Sequence, residues 1–242
     1  MRIVIAGPPK TGNVWLKCLL AATYGLRVIP SHSVSKQPDI VLLKRWIEQG
    51  RFDDGTIFHQ HHDYSVELCD LIEAVPARII TIIRDPYDVW VSSFFTLQRE
   101  ATDNTRPGRR RSRRVALMGK PIDHPDVLRQ LRRGGYRKNL QKANEWLHSG
   151  RSTVVRYEAL KRDELGELKH LTDQIAPVEV ERLEYATETC SAENMRRMSA
   201  SLAKHVRKAT VGDSRNHLTE AHLAIFRERY GDLIRSLGYE VR

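Results

Sequence analysis

The chain has 242 residues, with 40 Lys and Arg against 30 Asp and Glu and a formal charge of +10. That length can bury one sizeable core, and no apolar run reaches the roughly 18 residues that a membrane-spanning helix needs. Cys18, Cys69 and Cys190 are odd in number and far apart, so they read as reduced thiols of a cytoplasmic protein rather than as a disulfide frame or a zinc site. In chain order the patterning predicts strand 2–6, helix 12–24, helix 39–49, strand 55–59, helix 65–74, strand 77–84 and helix 86–98. A basic loop follows at about 99–124. Then come one or two helices within 125–149, strand 152–156, helices near 161–175, 178–186 and 192–203, and a last helix at 219–236. Strands alternating with helices imply an α/β fold with a doubly wound, mainly parallel sheet in a single domain. One Arg before the first strand is not the start of a secretory signal.

The first strand runs directly into Gly7-Pro-Pro-Lys-Thr-Gly-Asn-Val-Trp15. A β-branched strand, a Gly-containing turn and an amphipathic helix make a phosphate cradle, because turn amides and the helix N-terminus both face an anion. Gly7 and Gly12 have P-loop spacing, but Asn13-Val14 stands where a nucleotide kinase carries Lys and the hydroxyl that holds Mg²⁺. The lysine is instead Lys10. The run P-K-T-G-N-V-W-L resembles the 5′-phosphosulfate loop of sulfotransferases that use 3′-phosphoadenosine 5′-phosphosulfate (PAPS). The resemblance implies that Lys10 and the amides of Thr11, Gly12, Asn13 and Val14 hold the 5′-phosphate and sulfuryl oxygens. It also implies that Trp15 stacks on the adenine.

Three further segments extend the likeness in order. Ile79 to Ile83 form an apolar run that delivers Arg84 to a strand's C-terminal edge, where doubly wound sheets bind ligands. Asp85 suits the cap of the next helix and Pro86 its first position. Arg84 and Ser92 keep the eight-residue spacing of the family's R-(D/N)-P-x-D-x-x-x-S, which implies that both hold the 3′-phosphate. Pairing of Arg84 with Asp88 is the plainer alternative. Arg156-Tyr157-Glu158-Ala159 resembles the family's Y-E-D, with Ala in place of Asp, and implies that Tyr157 lies by the adenine. Arg207-Lys208-Ala209-Thr210-Val211-Gly212-Asp213 resembles R-K-G-x-x-G-D, a clamp on the 3′-phosphate. Ala209 replaces a Gly there, which puts a backbone contact in question. Ser191 lies in Cys190-Ser-Ala-Glu-Asn-Met195, similar to the family's S-F-x-x-M before a helix, which implies an adenine-side role for Cys190 or Ser191.

Sulfuryl transfer needs a base for the acceptor hydroxyl, and histidine titrates near neutrality. His59-Gln-His61-His62-Asp-Tyr-Ser65 follows a short strand. Alternation sends His59 and His61 to one face and His62 to the other, and two ligands without a third argue against a metal. The resemblance makes His61 the base, with His62 as the alternative by spacing. His59 stands where many members carry a Lys. No metal is expected.

Six arginines between Arg106 and Arg114 account for six of the ten net positive charges. Such a block reads first as a solvated loop and second as a gate for an anionic acceptor. Without interleaved aromatics, nucleic-acid binding ranks last. The expected reaction is transfer from PAPS to a hydroxyl of a small-molecule, glycan or lipid acceptor, leaving PAP. A homo-oligomer stays open. The rival classes are a P-loop kinase using ATP-Mg²⁺ and a non-catalytic nucleotide or nucleic-acid binder.

Overall fold

The computed structural model describes residues 1–29, 40–102, 117–199, 202 and 208–242. The Arg-rich stretch 106–114, Arg207 and the predicted end of the 192–203 helix therefore lie outside the described residues. The chain forms two compact units, residues Met1–Arg84 with Glu145–Thr210 and residues Asp85–Asn144 with Val211–Arg242.

The first unit is built on five parallel strands in the order β2-β3-β1-β4-β5. They are β1 (Arg2–Ala6), β2 (Arg27–Val28), β3 (Thr56–Gln60), β4 (Ala77–Ile83) and β5 (Thr153–Arg156). In register, Arg2 stands opposite both Thr56 and Ala77, and Ile80 opposite Thr153. The β-branched runs Ile3-Val4-Ile5 and Ile79-Ile80-Thr81-Ile82-Ile83 suit strands covered on both faces. Alternation divides them between two cores. Ile3, Ile5, Ile57, Ile80 and Ile82 join Leu16, Leu19 and Leu20 of α1 (Asn13–Tyr24). The same core takes residues of α7 (Tyr157–Arg162), α8 (Glu164–Ile175) and α9 (Val180–Thr189). Val4, Ala6, Phe58 and Ile79 pack instead against α2 (Ile40–Glu48), α3 (Val66–Glu73) and Trp146 near the end of α6 (Arg137–His148).

The chain winds from β1 to one side of the sheet, through β2 and β3, and then crosses back to β4 on the other side. The winding therefore reverses at β1, and the crevice at such a reversal is where doubly wound sheets bind ligands. The loop after β1 and Arg84 after β4 both leave the sheet at that edge.

Most predicted elements appear with ends shifted by a few residues. β2 was not expected; two exposed residues carry no readable period. The predicted helix 161–175 is two helices, because Asp163 leaves helical geometry and its side chain accepts from Gly166 N at 3.0 Å. Ser65 caps α3 through Leu68 N at 3.1 Å. Ser191 caps α10 (Ala192–Met198) through Asn194 N at 3.3 Å.

In the second unit α4 (Pro86–Thr102) runs past its predicted end at 98. Asp85 caps it as expected, accepting from Tyr87 N at 2.8 Å and Asp88 N at 3.1 Å. The unit also holds α5 (Pro125–Arg132) and α11 (Glu220–Ser236). Its core is aromatic: Phe226 of α11 meets Tyr87 at 4.6 Å between ring centroids, with Trp90, Tyr136 and Tyr230 around it.

Candidate active site

The loop after β1 owes its shape to three left-handed or otherwise positive backbone angles, at Gly7 (φ 144°), Lys10 (φ 70°) and Gly12 (φ 112°). Lys10 holds this conformation despite its side chain, a strain characteristic of functional loops. Two buried side chains close the loop on one carbonyl. Thr11 Oγ1 donates to Pro8 O at 3.1 Å, and Asn13 Nδ2 donates to the same oxygen at 2.8 Å. The side chains of Thr11 and Asn13 therefore brace the loop, and what these residues have left to offer an anion is backbone N–H. Among the described residues no side chain caps Gly12 at the start of α1, so the first-turn amides remain oriented toward a ligand.

Gly12 is fixed by its neighbour. A Cβ there would lie 2.8 Å from Tyr157 Cδ2 and 3.2 Å from Ile82 Cδ1. Tyr157 begins α7 and is only 4% exposed. Its ring meets Trp15 edge-on at 5.6 Å, and the Arg84 guanidinium lies 4.1 Å over its centroid. Lys161 covers Trp15 at 4.8 Å. Arg84 also donates through Nη2 to Thr210 O at 2.9 Å, which ties the end of β4 to the segment 208–210. Ala209 in that segment has φ 57°. It keeps the left-handed backbone that Gly would favour, at a cost of about 1–2 kcal/mol. Lys208 beside it is exposed.

The two candidate bases diverge at the end of β3. His61 Nδ1 stands 3.2 Å from Gly7 O. A carbonyl only accepts, so Nδ1 carries the proton and Nε2 the lone pair. His62 is 3% exposed, its carbonyl accepts from Trp146 Nε1 at 3.0 Å, and its ring packs edge-on against Phe58. His59 lies 6.0 Å from His61, ring to ring.

Lys10, Thr11, Gly12, Asn13, Val14, Trp15, His61, Arg84, Tyr157 and Lys208 all belong to the first unit. Ser92 lies half-buried on α4 in the second, where its carbonyl accepts from Thr96 Oγ1 at 2.8 Å. In that unit Asp88 has a part that its motif position hinted at but sequence reasoning missed. Its carboxylate accepts from Gly212 N and Ser214 N, each at 2.8 Å, and so holds the turn that opens the 3₁₀ segment Asp213–Asn216. Arg242 braces the same unit, lying 3.8 Å over Tyr87 and donating to Ser214 Oγ at 3.0 Å. Burial raises the Asp85 carboxyl above the usual carboxylate range, against the pull of Arg242.

The sequence profile of the sulfotransferase domain family matches residues 1–238. The chain belongs to that family. This sulfotransferase is 26% identical to cytosolic sulfotransferase 3 of Arabidopsis thaliana over 90% of its own length and 71% of the relative's. Its fold is shared with a mouse sulfotransferase crystallised with PAP, at 19% identity and a TM-score of 0.67, covering 97% of this chain and 84% of that one. It is shared as well with retinol dehydratase in complex with androsterone and PAP, at 15% identity and a TM-score of 0.62, covering 96% and 80%. The sulfotransferase is thus an α/β enzyme of sulfuryl transfer, as the four sequence segments implied. Among the described residues no helix is long and apolar enough to cross a membrane.

Proposed function

We propose that this sulfotransferase moves the sulfuryl group of PAPS to a hydroxyl of a small-molecule acceptor, with His61 as general base and Lys10 facing the sulfuryl oxygens. One observation carries the reading: His61 bonds to Gly7, the first residue of the phosphate cradle. Base and cradle then share one residue, so an acceptor hydroxyl reaching Nε2 also faces whatever the loop holds. Bound PAPS supplies the sulfuryl group and a stable leaving nucleotide. The loop fits such a group, since no described side chain caps Gly12 and the first-turn amides of α1 are left for an anion.

His61 takes the acceptor proton at Nε2 while Nδ1–H stays on the Gly7 carbonyl, which fixes the ring. Lys10 and the amides of Thr11 to Val14 offset charge on the phosphate and the sulfuryl oxygens. Preorganised donors of this kind are commonly the largest catalytic contribution. Arg84 and Lys208 provide charge for a 3′-phosphate. The parts proposed for Ser92 and Arg207 rest on motif spacing alone. Trp15, held by Lys161 and Tyr157, offers its ring to the adenine, and Tyr157 supports that site from behind Gly12. A kinase reading has less behind it, because Asn13, at the kinase lysine position, is spent on the Pro8 carbonyl, and Val14 brings no hydroxyl for Mg²⁺. A cytosolic location is part of the proposal, on the likeness to the Arabidopsis relative.

The test is calorimetry with PAP and ADP, followed by PAP release from PAPS in EDTA across hydroxylated acceptors. Each charge-assisted bond to the 3′-phosphate contributes about 1.5–3 kcal/mol, so PAP should bind at least tenfold more tightly. Equal affinities for PAP and ADP would remove PAPS as the donor.

A further inference from the structure

Cys18 and Cys190 are 172 positions apart in sequence, yet their sulfur atoms lie 2.6 Å from each other. Both are free thiols. Cys18 sits in the second turn of α1, partly open to solvent, and Cys190 caps the C-terminal end of α9, fully buried in the same apolar core. The third thiol, Cys69 of α3, is buried in the core on the opposite face of the sheet. The widely spaced cysteines of the sequence are thus one pair and one isolated residue.

We propose that Cys18 and Cys190 are an oxidative modification site, a dithiol that hydroperoxides convert to a disulfide joining α1 to α9. The Cys18 sulfur, the one solvent reaches, attacks an oxygen of the hydroperoxide. The O–O bond breaks, water or an alcohol leaves, and Cys18 becomes a sulfenic acid. The Cys190 sulfur then displaces the hydroxyl from the Cys18 sulfur, and its own proton leaves with that hydroxyl as water. Two thiols give up two protons and two electrons, and the hydroperoxide takes them. The surroundings favour this order. Cys190 S–H donates toward the Cys18 sulfur and the Lys17 ammonium lies beside it, and together they hold the Cys18 thiol below its usual range. The hydrogen bond and burial push Cys190 up. A disulfide needs its sulfurs about 2.05 Å apart, and these two already lie 2.6 Å from each other.

The experiment uses the full chain, reduced, freed of reductant and titrated with hydrogen peroxide. Thiols are then counted by maleimide labelling under denaturing conditions. The count should fall from three to one, with the mass of two hydrogens lost, and digestion without reductant should link the peptides bearing residues 18 and 190. The melting temperature should rise by about 5–10 °C and return on adding dithiothreitol. Cys69→Ser should leave the cross-link intact, whereas Cys18→Ser should abolish it. Three thiols still reactive after peroxide treatment, a cross-link through Cys69, or one between two chains would each overturn the proposal. Should Cys18→Ser not fold, the peptide map of the wild-type protein decides by itself.

Discussion

Replacing Gly12 by alanine tests the frame of the site at its tightest point. At φ 112° an L-residue leaves its allowed regions, a strain of about 1–3 kcal/mol. The added methyl would also stand 2.8 Å from Tyr157 Cδ2 and 3.2 Å from Ile82 Cδ1. Neither neighbour gives way freely. Tyr157 is locked between Trp15 and Arg84, and Ile82 lies in the middle of the sheet's core. Overpacking of this kind costs about 1–3 kcal/mol more. The total, roughly 2–6 kcal/mol, corresponds to a fall in melting temperature of about 5–20 °C for a chain of this size. Thermal and urea unfolding of wild type, Gly12→Ala, Tyr157→Ala and the double variant measure it. The strain at φ 112° and the contact with Ile82 remain in the double variant, but the clash with Tyr157 does not. The double variant should therefore be at least ~1 kcal/mol more stable than additivity predicts. PAP affinity of Gly12→Ala should fall at least tenfold, since the loop amides shift with the ring. A single variant that melts within about 1 °C of wild type, or a fully additive cycle, would refute the claim that Tyr157 sets the loop.

His61→Ala should lower the transfer rate by about 10²–10⁴-fold with PAP affinity nearly unchanged; His62→Ala should keep turnover in the fraction that folds but lose stability, as its ring is buried against Phe58. Single-turnover kinetics beside PAP calorimetry separate the two, and the reverse pattern moves the base to His62. Lys10→Ala should mainly lower kcat and Arg84→Ala mainly raise KM for PAPS, because only the first is proposed to face charge that grows in the transition state; matching kinetic patterns would show that the roles are not divided this way. Burial lowers the His222 pKa from 6.5, against the opposing pull of the Ile122 carbonyl and Asp123. The unfolded chain then binds the extra proton first, so the contribution of His222 to stability is full above about pH 6.5 and is lost as pH falls from there toward its depressed folded value. Urea midpoints should decline across that window, and less so in His222→Gln.

The fold and half of the site were legible because their signals are contiguous. Strand, loop and helix N-terminus occupy residues 2–24 without interruption, and the loop's chemistry lies in its order of Gly, Lys and Thr. Arg84 at the end of an apolar run, with Asp85-Pro86 behind it, announces a strand edge and a helix start together. The divergence of His61 and His62 was legible, since alternation sends neighbours to opposite faces. What distance in sequence hides is tertiary. No period links Trp146 to His62, or Arg84 to Thr210, 126 positions away.

Tyr157 illustrates the limit of motif transfer. The Y-E-D likeness implies a residue beside the adenine, and the geometry gives its ring a prior engagement under Gly12, below Arg84 and against Trp15. One buried aromatic thereby touches the phosphate loop, the proposed adenine platform and the proposed 3′-phosphate cation. Ala209 teaches the converse lesson. Its departure from Gly suggested a lost backbone shape, yet the residue takes φ 57° and keeps it. Substitution at such a position changes the cost of the conformation before it changes the conformation itself, because the flanking anchor at Thr210, bonded to Arg84, holds the segment from outside. The same argument applies to Lys10, whose left-handed backbone is held by the Pro8 carbonyl with Thr11 and Asn13 gathered on it. In both loops the strained residue sits next to a side chain–carbonyl bond. A reading of such loops should therefore ask which neighbour anchors the backbone before counting a missing glycine as a missing function.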